Sequence, residues 1–185
     1  MDNGAGSYRR FLDGEEEGFY EIVRDHKDGL ILYVNTYVNS LCESEEIVQE
    51  TFARLAIRKP RFFGRSSFKT WLYTIARNIA LDELRRKRRE AVPFDEVEGC
   101  ISDDSDVEAA YLKREMSTVL REAMLRLKPD YSGALWLVYF ERFDNKDAAR
   151  IMKKSSHQFE NLLYRAKQAL KKELEKGGYT YDTVL

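Results

Sequence analysis

The stretch SSFKTWLYTIARNIALDELRRKRRE, residues 66–90, carries the clearest pattern in this chain of 185 residues. Its apolar residues recur every three or four positions, which is the spacing of one face of an α-helix. Ser67 stands just before them and can cap the helix by accepting a hydrogen bond from an early backbone N–H. The pattern predicts a helix with one buried face, formed by Phe68, Trp71, Leu72, Ile75 and Ile79.

The predicted helix ends in five consecutive basic residues, RRKRR at 85–89. Cations near a helix C-terminus are favoured by the helix dipole, but five in a row exceed that need, and contact with phosphates is the natural alternative. At about 100° per residue, Arg77 and Arg88 are expected on the side opposite the apolar face, with Arg85 on its flank. We therefore interpret this block as a nucleic-acid surface rather than a merely solvated charge run.

The loop before this helix has the sequence FFGRSS at 62–67. It combines a flexible glycine, a cation, two hydroxyls and two aromatic rings. Such a loop can receive an unstacked base, and it can equally be a plain connection between two helices. The residues alone favour neither interpretation.

The rest of the chain is predicted to be helical as well. Its three prolines each stand near a glycine, and long segments between these clusters contain neither residue. The segment 90–110 has eight acidic residues and no basic one, a composition that disfavours packing. The sequence therefore predicts an all-α protein with a flexible start at 1–14, a helical domain at 15–90, a flexible acidic linker at 91–111, a second helical domain at 112–176 and a tail at 177–185.

The second domain contains a candidate helix-turn-helix at residues 144–172, DNKDAARIMKKSSHQFENLLYRAKQALKK. Asn145 can cap a short first helix, and Ser155 with Gln158 has the capping-box spacing that starts a second one. The second helix of such a motif enters the major groove of DNA, whereas the alternative is an ordinary amphipathic hairpin. The candidates for base and phosphate contact are Lys153, Lys154, His157, Gln158, Asn161 and Arg165.

The net charge of −1 hides an uneven distribution of charge along the chain. Residues 1–50 and 91–141 carry net charges of −8 and −6, whereas residues 51–90 and 142–185 carry +9 and +4. Such asymmetry is typical of proteins that bind nucleic acid or another polyelectrolyte.

Several function classes are disfavoured by features that the sequence lacks. No apolar run approaches the roughly 18 residues that span a membrane, and the first residues do not have the basic-then-apolar order of a secretory signal. Two cysteines and two histidines form no zinc or disulfide spacing, and no phosphate loop or catalytic motif occurs. We expect a cytoplasmic protein that is not an enzyme and needs no metal or cofactor.

Three stretches together resemble bacterial RNA polymerase sigma factors of the extracytoplasmic-function (ECF) subgroup of the sigma-70 family. EEIVQETF at 45–52 is similar to the family's polymerase-docking helix. FKTWLYTIARN at 68–78 is similar to the region that opens the −10 promoter element, and residues 148–170 are similar to the helix-turn-helix that recognises the −35 element. The resemblance covers nearly all of the two predicted domains and implies a promoter-specificity subunit that directs transcription initiation.

The resemblance also implies a role for each matching segment. On a helix expected to open at Ser44, an exposed surface would dock on the clamp helices of the polymerase β′ subunit, and its residues are Glu45, Glu46, Gln49 and Glu50. The loop would capture a base flipped from the non-template strand, with Gly64, Arg65, Ser66 and Ser67. The following helix would hold the DNA backbone and nearby base edges with Arg77, Asn78, Arg85 and Arg88.

The implied partners are core RNA polymerase through its β′ and β subunits, promoter DNA, and an anti-sigma factor, which in this family is commonly membrane-anchored. The chain itself is not expected to be embedded in a membrane. Two other functions remain open from the residues. One is a helix-turn-helix regulator that never joins polymerase, and the other is a helical module that binds only proteins.

Overall fold

The computed structural model describes residues 4–90 and 118–178, and within these ranges every regular element is helical, as the sequence predicts. The predicted acidic linker at 91–111 lies outside the described residues, as do residues 112–117 and the tail beyond residue 178. The described residues form two helical units, 4–90 and 118–178.

The first unit is a bundle of four helices. They are α1 (Ala5–Leu12), α2 (Glu16–Val38), α3 (Leu41–Arg58) and α4 (Phe68–Glu90). α2 is the central helix, because α1, α3 and α4 all pack against it. The apolar face predicted for α4 is confirmed: Phe68, Leu72 and Ile79 are buried, and the other two residues of the face are half-buried.

The boundaries of α3 follow from local chemistry at its two ends. Ser40 caps the helix by accepting a hydrogen bond from the Glu43 backbone N–H at 3.4 Å. The expectation that this helix opens at Ser44 is therefore wrong, since the helix begins at Leu41. Ser44 is buried within the first turn, where its hydroxyl donates to the Ser40 carbonyl oxygen at 2.7 Å. Lys59 ends the helix in a left-handed conformation with φ of 41°.

Residues 5–12 form a helix where the sequence suggested a flexible start. Tyr8 anchors α1, because its side chain is 1 % exposed and its hydroxyl donates to the Pro60 carbonyl oxygen at 2.7 Å. Burial raises the pKa of Tyr8 to about 12, so the hydroxyl keeps its proton at neutral pH. On the other side of α1, Ser7 and Arg10 both donate hydrogen bonds to the Glu21 carboxylate of α2.

The second unit contains α5 (Thr118–Leu125), α6 (Pro129–Leu135), α7 (Asn145–Ile151) and α8 (Ser156–Lys176). A single π-helical turn, Trp136–Phe140, continues α6. The capping box that starts α8 is confirmed, since Ser155 and Gln158 bond reciprocally to each other's backbone N–H at 3.2 and 2.9 Å. The cap of α7 is Asp144 rather than Asn145, because the Asp144 carboxylate accepts from the Asp147 N–H at 2.7 Å.

The two units are in direct contact, α2 with α6 and α4 with α7. Two glycines make this close approach possible. A Cβ on Gly133 of α6 would lie 2.6 Å from the Tyr37 hydroxyl oxygen, and one on Gly29 of α2 would lie 2.6 Å from both the Glu141 Oε1 and the Tyr73 hydroxyl oxygen. The surfaces therefore fit without space for an additional methyl group.

Candidate functional site

α8 exposes one polar face along its whole first half. His157, Asn161 and Arg165 are exposed and lie four residues apart, so they share this face. The opposite, apolar face is held inside its own unit by Phe159, Leu163 and Ala166. α8 packs mainly against α5, α6 and α7, and the side chains of its polar face are exposed. The sequence-predicted surface thus exists as a continuous solvent-facing strip.

Three side chains in the first half of α8 have defined local partners. The Asn161 side-chain nitrogen lies 3.1 Å from the His157 Nε2. Gln158 is exposed, but its Oε1 accepts the Ser155 backbone N–H, which holds its amide at the helix start. Asn161 and His157 are consequently better placed than Gln158 to meet a base edge further along the face.

The turn before α8 presents two cations in different surroundings. Lys153 is exposed in a left-handed conformation with φ of 53°. A glycine usually suits this conformation better. Lys154 is half-buried, and its ammonium lies 3.7 Å from an oxygen of Asp130 at the start of α6.

The four predicted residues of the loop at 62–67 differ in their surroundings: two hydroxyls are hydrogen-bonded within the chain, and the other two residues are exposed. The Ser67 hydroxyl caps α4, because it accepts the Thr70 N–H at 3.1 Å, and the Ser66 hydroxyl donates to the Ser67 carbonyl oxygen at 3.2 Å. Both hydroxyls therefore serve the loop itself. Gly64 and Arg65 are exposed, and Gly64 takes a left-handed conformation with φ of 67°.

The basic block at the end of α4 is exposed, and most of its cations have acidic neighbours. Arg85 pairs with Asp82 at 3.0 Å, and Lys87 pairs with Glu43 of α3 at 2.5 Å. For Arg88 no ion pair is found with any described residue. Exposed ion pairs contribute at most about 1 kcal/mol, so all these cations can exchange a carboxylate for a phosphate.

Arg77, which was expected on the side of α4 opposite the apolar face, is buried rather than open to solvent. Its side chain is 7 % exposed because the second unit covers this side of α4. The guanidinium Nε donates to the Tyr37 hydroxyl oxygen at 3.0 Å, and Nη2 donates to Asp130 Oδ1 at 3.5 Å. Asn78, the next residue, is half-buried.

Asp130 joins the two candidate DNA surfaces to each other. One of its carboxylate oxygens accepts from Arg77, which was predicted to contact the −10 element. The other lies 3.7 Å from Lys154, which was predicted to contact the −35 element. No local sequence pattern predicts this bridge, because Asp130 is 53 residues from Arg77 and 24 residues from Lys154 in the chain.

A second ion pair across the interface was also missed by the sequence reasoning. The Lys69 ammonium lies 2.8 Å from Glu141 Oε2 and donates to the Glu141 carbonyl oxygen at 3.1 Å. It also stands over the rings of Phe143 and Tyr73, at 4.8 and 5.5 Å from their centroids. Both charged side chains are mostly buried, so this contact is well shielded from solvent.

The acidic face of α3 lies on the outside of the first unit. Glu46, Gln49 and Glu50 are exposed and Glu45 is half-buried, while Ile47, Val48, Phe52 and Leu55 point into the core. Glu50 pairs with Arg54 at 2.7 Å along the same helix. The predicted docking residues therefore form one surface on α3.

No helix within 4–90 and 118–178 is long and apolar enough to cross a membrane. Over the same ranges, no group of three or more His, Cys, Asp or Glu side chains is arranged to hold a metal ion.

The two helical units match two family descriptions. Residues 22–90 match Sigma-70 region 2, and residues 117–170 match Sigma-70, region 4. Among curated proteins, the chain is 32 % identical over 134 residues to the ECF RNA polymerase sigma factor SigM of Bacillus subtilis, covering 72 % of this chain and 81 % of SigM. It is 26 % identical over 170 residues to SigW of the same organism, covering 87 % and 91 % of the two chains.

Two solved structures have the same fold. A complex of the sigma factor RpoE with the anti-sigma factor NepR from Bartonella quintana matches with a TM-score of 0.65 and 21 % identity, covering 85 % of this chain and 96 % of RpoE. A complex of CnrH with the cytosolic domain of CnrY matches with a TM-score of 0.62 and 19 % identity, covering 94 % and 96 % of the two chains.

Proposed function

The chain belongs to the extracytoplasmic-function group of the sigma-70 family, and we propose that it recognises promoters through two separate surfaces, one on each helical unit. As a member of this family it is a promoter-specificity subunit that directs transcription initiation by RNA polymerase. The observation that carries the proposal is the exposed polar face at the start of α8, the second helix of a helix-turn-helix.

The −35 surface in this proposal consists of the α8 face and the turn before it. Asn161 and His157 meet base edges in the major groove, and adenine is the base whose donor and acceptor best suit an asparagine amide. Lys153, Lys154 and Arg165 contact phosphates and set the register of the helix on the duplex. Gln158 contributes mainly by fixing the start of the helix.

The −10 surface consists of the loop at 62–67 and the exposed parts of α4. Gly64 and Arg65 receive the separated strand, and Ser66 and Ser67 hold the loop in shape. Arg85 and Arg88 bind the backbone of the adjacent duplex. Arg77 and Asn78 join this surface only after the second unit has moved away, because Arg77 is covered in the arrangement described above.

Docking on polymerase uses the outer face of α3. Glu45, Glu46, Gln49 and Glu50 offer a mostly acidic surface to the clamp helices of the β′ subunit, and complementary charge orients such an encounter. The chain has no catalytic activity of its own in this proposal and acts in the cytoplasm. An anti-sigma factor is proposed as a regulator, since both similar structures contain a bound second protein, which is named an anti-sigma factor in the RpoE complex.

The described arrangement is a closed form that must open on a promoter. Arg77 and Lys154 contact the same carboxylate, at 3.5 and 3.7 Å. Elements centred near positions −10 and −35 are about 25 base pairs apart, which is about 85 Å along B-DNA at 3.4 Å per base pair. Two residues held by one side chain cannot serve both elements of a straight duplex. We therefore propose that Asp130 and Glu141 hold the free chain closed and that initiation requires their contacts to break.

Run-off transcription with core RNA polymerase and a promoter library tests the proposed function. The wild-type chain should select templates with two conserved elements. Asn161→Ala should relax the upstream preference at one or two positions, by about 5- to 150-fold for a lost bidentate base contact. Lys172→Ala is the matched control on the far end of α8 and should lower affinity evenly across templates.

Two outcomes would contradict this assignment. Initiation from no template at all, together with no binding to core polymerase, would remove the sigma function. Identical sequence preferences for the Asn161 and Lys172 variants would show that α8 does not present this face to the bases.

A further inference from the structure

A cavity of about 390 Å³ lies between the two helical units. The first unit contributes the last two turns of α2 and the start of α3 to its wall, and the second unit contributes α5, α6 and the start of the π-helical turn. The cavity is next to the close approach of Gly133 to Tyr37, since Tyr37 lines it and so does Ser132 beside the glycine. No residue proposed above to contact DNA or polymerase lines this cavity.

Most of the cavity wall is apolar. Its large side chains come from both units and are Leu32, Leu41, Met124, Leu125 and Trp136. Small-molecule sites typically have volumes of about 300–1,000 Å³ and a mainly apolar wall with a few polar groups. The size and the lining of the cavity therefore fit a small apolar ligand.

The polar part of the wall includes hydrogen-bond donors without acceptors. Arg121 is half-buried and forms no ion pair or hydrogen bond with any described residue. The indole Nε1 of Trp136 is buried and has no hydrogen-bond partner among the described residues either. No Asp or Glu is among the described residues that line the cavity. The positive charge of Arg121 at this apolar wall is therefore not balanced by any described neighbour.

We propose that this cavity binds a small apolar molecule with one carboxylate, such as a medium-chain fatty acid, and that the bound molecule holds the two units together. The apolar chain packs on the leucines and Met124, and the carboxylate pairs with Arg121, whose planar guanidinium matches carboxylate geometry. A neutral apolar molecule would leave the charge of Arg121 without a partner. A small anion such as acetate would leave the apolar wall uncovered, so the cavity selects a ligand with both parts.

The bound ligand favours the closed form, because residues of both units line the cavity. When the units separate, the wall from α2 and α3 leaves the wall from α5, and the open form retains only part of the site. A ligand that binds one form only raises the ratio of that form to the other by about tenfold at roughly ten times its Kd. This regulation rests on the proposed opening of the chain on a promoter, whereas the binding itself does not.

Isothermal titration calorimetry of the full chain with decanoate, kept below its micelle concentration, tests the binding. Decanol has the same chain without the charge and acetate has the charge without the chain, and both should bind much more weakly than decanoate. Arg121→Gln should weaken decanoate binding by about 10- to 150-fold, the range for a hydrogen bond to a charged group. Arg126→Gln is the matched control, because Arg126 is exposed on the same unit and does not line the cavity.

Tryptophan fluorescence tests the location of the bound molecule. The chain has two tryptophans. Trp136 lines the cavity, whereas Trp71 packs on Phe62 and Phe68 in the first unit. In Trp71→Phe, decanoate should change the emission of Trp136 with the Kd that calorimetry gives. In Trp136→Phe, decanoate should leave the emission of Trp71 unchanged.

Promoter binding by fluorescence anisotropy tests the effect of the ligand on closure. Decanoate at roughly ten times its Kd should weaken apparent promoter affinity by up to about tenfold, because only the open form binds a promoter. Gly133→Val places a Cβ 2.6 Å from the Tyr37 hydroxyl oxygen and forces the units apart. This variant should bind decanoate more weakly than the wild-type chain, and its promoter affinity should respond less to decanoate.

The outcomes separate this inference from the proposed function. If decanol binds as tightly as decanoate, or if Arg121→Gln binds decanoate as the wild-type chain does, the cavity is not a site for an apolar anion and the inference is overturned. If Gly133→Val binds decanoate with unchanged affinity, the ligand does not hold the units together and the regulatory part fails. If the wild-type chain without ligand initiates from no template, the proposed function itself fails, while the calorimetric result still decides whether the cavity binds the anion.

Discussion

The polar face of α8 and the middle of α4 are both candidate DNA surfaces, but the first is exposed and the second is buried. The α8 face with Asn161 is open to solvent along its length. On α4, Arg77 is 7 % exposed and bonded to Tyr37 and Asp130. The same helical-wheel reasoning placed Asn161 and Arg77 on polar faces, and of these two residues only Asn161 is exposed.

The difference has a simple physical origin. Among the described residues, α8 packs chiefly against helices of its own unit, so its apolar residues face inward and its polar residues face water. α4 contacts its own unit with one face and the second unit with another. A helix with two packed faces buries residues that a single-stripe pattern assigns to solvent. A polar residue opposite an apolar stripe is therefore exposed only if no second element packs against that side of the helix.

The largest expected effect comes from forcing the two units apart at Gly133. In Gly133→Val the new Cβ would lie 2.6 Å from the Tyr37 hydroxyl oxygen and 3.0 Å from its Cζ, and Tyr37 is buried and cannot swing away. Overpacking of this kind costs about 1–3 kcal/mol, which shifts the closed-to-open ratio by about 5- to 150-fold. Small-angle scattering should show a radius of gyration above the roughly 16 Å of a compact chain of this length.

A second variant, on the first unit, helps to distinguish opening of the two units from simple unfolding. Gly29→Ala places a Cβ 2.6 Å from Glu141 Oε1 and should open the chain in the same direction. Both variants should keep their helical circular dichroism and their binding to −35 duplex. If neither variant expands, or if both lose helicity together, the contrast between an open α8 and a covered α4 does not come from domain closure.

A smaller effect is expected from removing the shared charge at Asp130. Asp130→Asn weakens the contact with Arg77, which crosses between the two units and is worth about 1 kcal/mol because the Asp130 side chain is 44 % exposed. Since only the open form binds a promoter, apparent affinity rises with the open fraction, and we expect about a two- to fivefold tighter complex at low salt. Promoter binding by fluorescence anisotropy measures this change.

The control for Asp130 is Glu122→Gln, which removes another exposed carboxylate from the second unit without touching the interface. Glu122 lies 3.9 Å from Arg126 on the same unit. An equal gain in affinity for both variants would show that general charge, rather than release of Arg77 and Lys154, is responsible.

The smallest expected effect concerns the uncovered end of α4. Arg88→Gln should lower the salt slope of promoter binding by about 0.9, the value for one duplex phosphate, because Arg88 is exposed and has no ion pair among the described residues. Arg85→Gln should lower the salt slope less, because the wild-type Arg85 is already paired with Asp82 at 3.0 Å. An unchanged slope in both variants would mean that this end of α4 does not contact phosphate, although it is open.

Particular residues show how far the sequence reaches. The all-α class, the apolar face of α4 and the capping box at Ser155 were predicted correctly, because each depends on neighbours within four residues. Two helix boundaries differ from the prediction. α3 begins at Leu41 rather than Ser44, and α7 is capped by Asp144 rather than Asn145. Both are shifts of one to three positions in segments that contain several residues able to cap a helix. The family resemblance was also confirmed, since its motifs are local as well.

The sequence by itself determined which segments are helical, which face of each helix is apolar and where basic charge collects, since periodicity and caps are short-range properties of the chain. Only the tertiary structure decided that α1 is a packed helix and that Asp130 and Glu141 hold the two units together. It also decided that Arg77 is covered while Asn161 is exposed. These outcomes depend on contacts between residues up to 72 positions apart, whose shape complementarity no local pattern encodes.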